Sequence, residues 1–365
     1  MSDRPPLSSR AAPPPILIGD AGPGPDNRVL IPTHGRTPSR PPSDLILDLG
    51  GQTMGTTWAV RLVPPPGLDQ TAVQAAIEAE LDRIILLFSH WEPRSELSRW
   101  NAAPPGFWAV SEPFWDLLNA ALDLADDTDG AVDPTLGALV DLWGFGPPGP
   151  RPRDAFAAVT LPSEDEIAAA RAVSGWNRLR LNREARAVQQ PGGLRLDLSG
   201  IAKGHAVDRV SERLTSLGAV SHLVEIGGEL RGAGVKPDGR PWWVELQQAP
   251  GTPTPRTLAA LFDLAVATSG DWVRRFEAGG RAYSHTLDGR TGRPVDNGLA
   301  SVTVLADTAF YADAVATALT VMGPVEGPAW AGAMNVAAAF VGRDAEGVLT
   351  ETVTPAFAAM LNEGA

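Results

Sequence analysis

LRLDLSGIAKGHAVDRV, Leu194 to Val210, is the stretch on which the fold turns. Leu194, Leu196 and Leu198 alternate with polar residues, the period of a half-buried strand. At Asp197-Leu198-Ser199-Gly200 the period changes, and an amphipathic helix pattern starts at once. A strand-to-helix turn presents unpaired backbone N–H groups at the positive end of a helix dipole, and such ends attract anions. Asp197 and Lys203 flank the turn. Two readings fit: a phosphate cradle, or a capped crossover in which Gly200 and Gly204 serve close packing, Lys203 is solvated and Asp197 is a cap. No G-x-x-x-x-G-K-[ST] and no G-x-G-x-x-G after a strand occurs, so P-loop and classical dinucleotide-fold readings are disfavoured.

Outward from this turn, the chain reads as strands and helices mixed without regular alternation, which points to α+β rather than a doubly wound sheet. Leu45–Leu49 and Thr56–Val63 read as strands joined through Gly50–Thr53. Apolar residues Val73, Ile77, Leu81, Ile84 and Phe88 predict a helix over 69–88. Further helices are predicted at 113–126, from Asp133-Pro134 as N-cap and first turn, and from Ser163 with Glu166 completing a capping box. The helix after Gly200 runs to Leu217 and stops at Gly218. Strands are expected at 178–181, 185–189, 194–198, 221–226, 229–235, 242–247, 258–266, 282–287, 300–306, 336–341 and 348–352, with a helix over 309–322. Residues 1–43, rich in Pro, Ser, Gly and Arg, read as a flexible, disordered extension, and 44–365 as a single domain with mixed or antiparallel sheets and packed helices.

The 365 residues carry 30 basic and 43 acidic side chains, a formal charge of −13. That balance argues against nucleic acid or an anionic membrane as the main partner, since both require basic surface. An acidic protein that binds a polyanionic nucleotide needs local positive charge or a divalent cation. The chain has no cysteine, which excludes disulfides, thiolate metal sites, a cysteine nucleophile and a lipid-modified N-terminal cysteine. No apolar run reaches the ~18–20 residues of a membrane span, and the first residues lack a signal-peptide pattern; a cytoplasmic location is expected.

Four further constellations carry chemistry. Met54-Gly55-Thr56-Thr57-Trp58 at a strand start is either a wall for a planar ligand or a turn into an edge strand. Ser89 to Asn101 is a polar loop with Trp91 and Trp100; His90 within it reads as a helix-end surface residue. Asp129 to Thr135 places Gly130 before a helix start, giving either a set of free amides beside Ala131, Val132 and Asp133 or a capped helix. Finally His285 precedes the turn Gly289–Pro294, where an imidazole can act as a base near neutral pH, and Asp313 and Thr317 lie one helical turn apart, two oxygen donors suited to Mg²⁺.

Taken together the motifs resemble the ApbE family of FAD:protein FMN transferases. The likeness rests on MGTTW (Met54–Trp58), SELSRWN (Ser95–Asn101), GAVDPTLGALVDLWGFG (Gly130–Gly146), LDLSGIAKGHAVDRV (Leu196–Val210), VEIGGELR (Val224–Arg231), ATSGDW (Ala267–Trp272), YSHTLDGRTGRP (Tyr283–Pro294) and ADAVATAL (Ala312–Leu319). These stand in the family's order from about residue 50 onward. The resemblance implies an α+β ApbE-like fold and a Mg²⁺-dependent reaction that joins FMN from FAD, through a phosphoester, to a Thr or Ser of an acceptor protein, releasing AMP. It implies FAD contacts at Met54, Trp91, Ala131, Val132, Asp133, Asp197, Lys203 and Leu287, metal ligands at Gly200 (carbonyl), Asp313 and Thr317, and a catalytic base at His285. Trp91 stands where the family often has tyrosine, and Ala316 where some members have a second aspartate. Many members are exported; this chain shows neither an export signal nor a lipid-attachment cysteine. An FAD pyrophosphatase releasing FMN and AMP, or a non-catalytic flavin carrier, are the competing readings.

Overall fold

Eight stretches rich in β-branched and small apolar residues pair into one antiparallel sheet. They are β1 (Leu47–Thr53), β2 (Thr56–Val63), β3 (Ser221–Ile226), β4 (Glu229–Ala233), β5 (Leu264–Gly270), β6 (Leu299–Ala306), β7 (Ala337–Arg343) and β8 (Leu349–Val353). Their order across the sheet is β8-β7-β6-β5-β4-β3-β2-β1, so the sheet is a meander whose connections carry everything else. The architecture is a computed structural model that describes residues 23–24, 26–32, 41, 43–149, 160–272 and 275–362.

Both faces of this sheet are covered, and the strands are correspondingly apolar on both. All six residues of β3 are buried. Val224 and Ile226 join the larger core under the helices, while Leu223 points to the opposite core, as a period of two requires. The helical layer consists of α1 (Gln70–Phe88), α2 (Glu112–Asp127), α3 (Ser199–Ser216) and α4 (Ala309–Ala333). The predicted stripe of α1 (Val73, Ile77, Leu81, Ile84, Phe88) is its buried face, and Asp69 caps it by accepting from the Ala72 N–H. Helix α3 packs between α1, α4 and β3, and α4 lies on β5, β6 and β7.

The opposite face is covered by a four-stranded sheet of order Leu361–Asn362, Arg28–Leu30, Thr257–Leu261, Trp242–Glu245. Leu30, Trp242, Val244, Leu261 and Phe357 pack there against Leu223, Leu230, Val266 and Leu305 of the main sheet. No helix among the described residues is long and apolar enough to cross a membrane.

Several sequence expectations are corrected here. Arg28–Leu30, inside the stretch read as a flexible extension, form a strand, because Leu30 is fully buried and Arg28 bonds Glu351 and Thr257; the rest of that expectation falls largely outside the described residues. The predicted strand 258–266 is two strands in two different sheets, parted by Asp263 at φ 51°. Residues 194–198 make only a single bridge, Leu136 to Arg195, though Leu194, Leu196 and Leu198 are buried as their alternation requires. Gly50 and Gly51 sit within β1, and the turn falls at Met54-Gly55, both at positive φ. Asp133 does not cap a helix: its side chain closes a local turn, and the short helix Gly137–Leu142 starts four residues later. The capping box of Ser163 and Glu166 is present.

The meander fixes where a site can form. The β1–β2 turn, the β3–β4 turn and the β5–β6 connection all leave the same end of the sheet, since β3 pairs its Ile226 with Trp58 and β4 pairs Leu230 with Val266. Helix α3 begins at that end, and α4 runs back toward it from the far end of β6.

Candidate active site

The first turn of α3 is the centre of this end. Asp197 precedes it, and its Oδ1 accepts from the Ser199 N–H (2.7 Å) and the Ser199 hydroxyl (2.6 Å). The Ile201 and Ala202 amides are taken by the Leu198 carbonyl. Most of the amides that a phosphate cradle would offer are therefore engaged within the turn, and the positive group left at this helix end is Lys203. Its Nζ contacts Glu229 at the start of β4. Glu229 is 3% exposed, and its Oε2 is buried without a partner. Burial pushes its carboxyl up to about 8, with Lys203 opposing.

Helix α4 brings the second wall. A Cβ on Gly204 would stand 2.2 Å from the Ala309 carbonyl oxygen and 2.8 Å from the Asp313 Cβ, so only glycine lets the two helices approach. The Gly204 N–H donates to Asp313 Oδ2 at 2.9 Å. One turn earlier, a Cβ on Gly200 would lie 3.7 Å from both Thr317 Cγ2 and Oγ1. Gly200, Asp313 and Thr317 thus face one another across the α3–α4 seam, in the grouping the sequence resemblance implies. Asp313 is buried, which pushes its carboxyl up against the opposing effects of Lys203 and the Gly204 amide. Asp208 closes the seam: it accepts from the Ala309 and Phe310 amides at the start of α4 and from Arg231 at 2.6 Å.

A third group comes from the loops. The Asp197 amide donates to the Pro134 carbonyl (2.9 Å), and the Asn101 side chain bonds both the amide and the carbonyl of Leu196. SELSRWN and GAVDPT therefore grip the strand-like segment that leads into α3. Asp133 accepts from the Thr135 amide and hydroxyl (2.8 and 2.6 Å) and from the Trp176 amide; burial nevertheless leaves its carboxyl raised. Free amides, one of the two readings open from the sequence, are not found here. Ala131 N–H donates to the Thr128 carbonyl and Val132 N–H to the Thr128 hydroxyl. With both side chains in the core, what this turn offers a ligand is carbonyl oxygen and Asp133.

The β5–β6 connection supplies the histidine. Arg275–Ala278 pairs with Arg281–Ser284, and Leu287–Asp288 with Arg293–Pro294, leaving His285 between two small hairpins. Phe276 and Tyr283 stack at 5.1 Å, Tyr283 stacks on Trp143 at 5.8 Å, and Phe145 stands edge-on to His285 at 6.4 Å. Trp143 Nε1 donates to the Gly292 carbonyl at 2.8 Å. The tip rests on the Asp133 loop, where a Cβ on Gly289 would lie 3.7 Å from Asp133 Oδ2. Leu287 is buried in this cluster. The tip is also tied to α4: Arg290 bonds Asp288 and donates to the Val321 carbonyl at 3.4 Å. Met54 tops the β1–β2 turn at the same end, beside Gly227, whose Cβ would lie 2.9 Å from Thr56 Cγ2. Trp91 is 51% exposed there.

Two residues were not recognised as site residues from the sequence. Glu229 partners Lys203, and its only signal was its place in VEIGGELR. His90 is not a surface residue: its side chain is 11% exposed, with Nδ1 3.4 Å from Asp197 Oδ1.

An α+β sheet carrying hard oxygen donors, a lysine and a histidine at one end has the architecture of a group-transfer enzyme. Known proteins narrow the class: a model of the ApbE family matches residues 54–340, and the chain belongs to that family. It is 38% identical over 295 residues to the FAD:protein FMN transferase of Vibrio cholerae, covering 79% of this chain and 85% of the relative. It is 35% identical over 286 residues to the Escherichia coli K12 protein of the same name, covering 76% and 78%. Among solved structures, the apo flavinyl transferase ApbE of Pseudomonas stutzeri superposes with a TM-score of 0.80 at 37% identity, covering 88% of this chain and 98% of that one. The ApbE protein of Thermotoga maritima gives 0.78 at 30%, covering 87% and 100%.

Proposed function

We propose that this chain is an FAD:protein FMN transferase that uses Mg²⁺. The observation that carries the reading is the seam between α3 and α4, where Gly200, Asp313 and Thr317 converge beside Lys203. Carbonyl, carboxylate and hydroxyl are hard oxygen donors of the kind Mg²⁺ takes, and they stand together only because Gly204 lets the helices touch. Among the described residues no cluster of three His, Cys, Asp or Glu side chains forms, and the proposed donor set needs none, since one donor is a backbone carbonyl and another a hydroxyl. When bound, Mg²⁺ supplies charge neutralisation on the pyrophosphate oxygens.

The chain's own residues do the rest. Lys203 stands ready to exchange Glu229 for a phosphate oxygen. Asp133 and Asp197, held by backbone and hydroxyl donors, offer acceptors to the dinucleotide's hydroxyls, and Trp91, Met54 and Leu287 offer apolar surface to its rings. His285 takes the proton as the acceptor's Thr or Ser hydroxyl oxygen bonds the phosphorus on the FMN side. The phosphoanhydride bond to AMP breaks, and AMP leaves with the bond's electron pair.

Incubation with FAD, Mg²⁺ and an acceptor protein, followed by in-gel flavin fluorescence after denaturation, tests this. Labelled acceptor and stoichiometric AMP are expected. His285→Ala should retain FAD yet lose transfer by roughly 10²–10⁴-fold, the usual contribution of a general base. Release of FMN and AMP with no labelled protein would mark a pyrophosphatase instead, and FAD binding without turnover a carrier.

A further inference from the structure

His90 and Asp197 form a half-buried pair at the mouth of α3. The His90 Nδ1 lies 3.4 Å from Asp197 Oδ1, and the two side chains are 11% and 9% exposed. The same Oδ1 takes both Ser199 donors, which fix the carboxylate in place. The His90 Nε2 is buried without a partner. The other charged groups that face the ring are Asp141 and Arg195, themselves paired at 3.2 Å. With His90 protonated, these four groups cancel. With His90 neutral, they carry one net negative charge. Trp91 is the next residue, its ring 5.5 Å from that of His90.

We infer that His90 is a positioning residue for Asp197 whose proton couples FAD affinity to pH. This rests on the reading of Asp197 as an FAD contact. A dianionic pyrophosphate entering this end of the sheet favours the state in which His90 is charged. Affinity for FAD then falls as pH rises through the His90 titration. Burial alone would lower the titration point of His90, but the hydrogen bond and charge of Asp197 outweigh it and hold His90 above its usual range, with Asp141 adding and Arg195 opposing. Asp197 responds in kind: burial raises it, and His90 and Ser199 bring it below the ordinary carboxylate range.

The test is FAD binding with Mg²⁺ present, read by flavin fluorescence from pH 5.5 to 9, for the wild-type protein and for His90→Asn, which keeps an amide donor toward Asp197 but has no proton to lose. The wild-type Kd is expected to rise about three- to tenfold across the transition, the effect of one charge at roughly 10 Å in a semi-aqueous site. The His90→Asn profile should lack that bend. Superimposable profiles in two proteins that both bind FAD would overturn the inference and leave the transferase reading standing. Binding by neither protein at any pH would take down both. Should His90→Asn fail to fold, the His90 ring resonance of the wild-type protein decides. By linkage, its titration must move to higher pH when FAD binds, and an unmoved titration refutes the coupling.

Discussion

At the scale of single residues, the site depends on contacts in which one atom more would not fit. Gly204→Ala places a methyl 2.2 Å from the Ala309 carbonyl oxygen, backbone that cannot step aside. The expected cost is about 1–3 kcal/mol of stability, seen as a lower Tm, with transfer lost along with the seam. Lys203 is a different case, because it is the cation that accompanies a buried Glu229. Lys203→Met should destabilise most above the Glu229 titration at about 8, where the carboxylate is ionised, and adding Glu229→Gln should recover much of that loss, since no carboxylate is then buried alone. A double variant no more stable in urea than Lys203→Met would refute that account. What was legible here follows the range of the interaction. Asp313 and Thr317 are one turn apart, so spacing alone placed them on one helix face, while their reading as metal donors drew on the family resemblance. His90 and Glu229 owe their roles to Asp197 and Lys203, far along the chain, and nothing local distinguishes them. Of the two readings open for Ala131 and Val132, free amides fails because Thr128, with its carbonyl and hydroxyl, folds back on them through Asp129 at φ 48°.

At the scale of elements, α4 is the informative one. The sequence pattern ended this helix at Met322, and the backbone does break there: Gly323 has φ 84° and ψ −174° before Pro324, after which helical turns resume to Ala333. The break frees the carbonyls of the preceding turn, and two side chains from the β5–β6 connection take them. Asn297 Nδ2 donates to Thr320 at 2.8 Å and Arg290 to Val321 at 3.4 Å. The helix that carries Asp313 and Thr317 is thereby joined to the hairpin that follows His285. Gly323→Ala is expected to cost about 1–2 kcal/mol, from positive φ and from crowding Asn297 Nδ2, 3.1 Å from the added Cβ. Arg290→Ala should lower kcat for transfer more than it raises the KM for FAD, because it loosens the proposed base His285 against the proposed metal-binding seam rather than removing a ligand contact. Equal effects on both parameters would argue that Arg290 touches FAD itself. Elements with a strong period, such as α1, were read to within a residue. Those cut by a single turn residue, as 258–266 is by Asp263, were merged, since a period of two continues across a corner.

At the scale of the whole molecule, the α+β class was visible in the mixture of periods, whereas the meander was not, because long insertions separate strands that are neighbours in space. The covered second face also explains why β3 shows no polar side. It buries His222 completely, with Nδ1–H donating to the Ala219 carbonyl (2.7 Å) and Nε2 2.8 Å from the Ser211 hydroxyl. Burial pulls this imidazole down to about 4. The sign follows from linkage: between about 4 and about 6.5 the unfolded chain binds a proton that the folded one does not, so stability rises with pH through that window and is lost as pH falls. The contribution has a ceiling of roughly 3 kcal/mol. His205, pulled down to about 4 by the same burial, adds to the wild-type difference, so urea unfolding at pH 4.5 and 7.5 should show a smaller loss of stability in His222→Gln than in the wild-type protein.

The small sheet on that face has a further consequence, one of timing. Its strand Arg28–Leu30 lies between Thr257–Leu261 and Leu361–Asn362, and Arg28 is clasped by Glu351. A ribosome must therefore release Leu361 before Leu30 finds its second neighbour. Until then Leu223 and Leu230 wait under an unfinished cover, and the nascent protein is most exposed to chaperones and to misassociation on the side away from its chemistry.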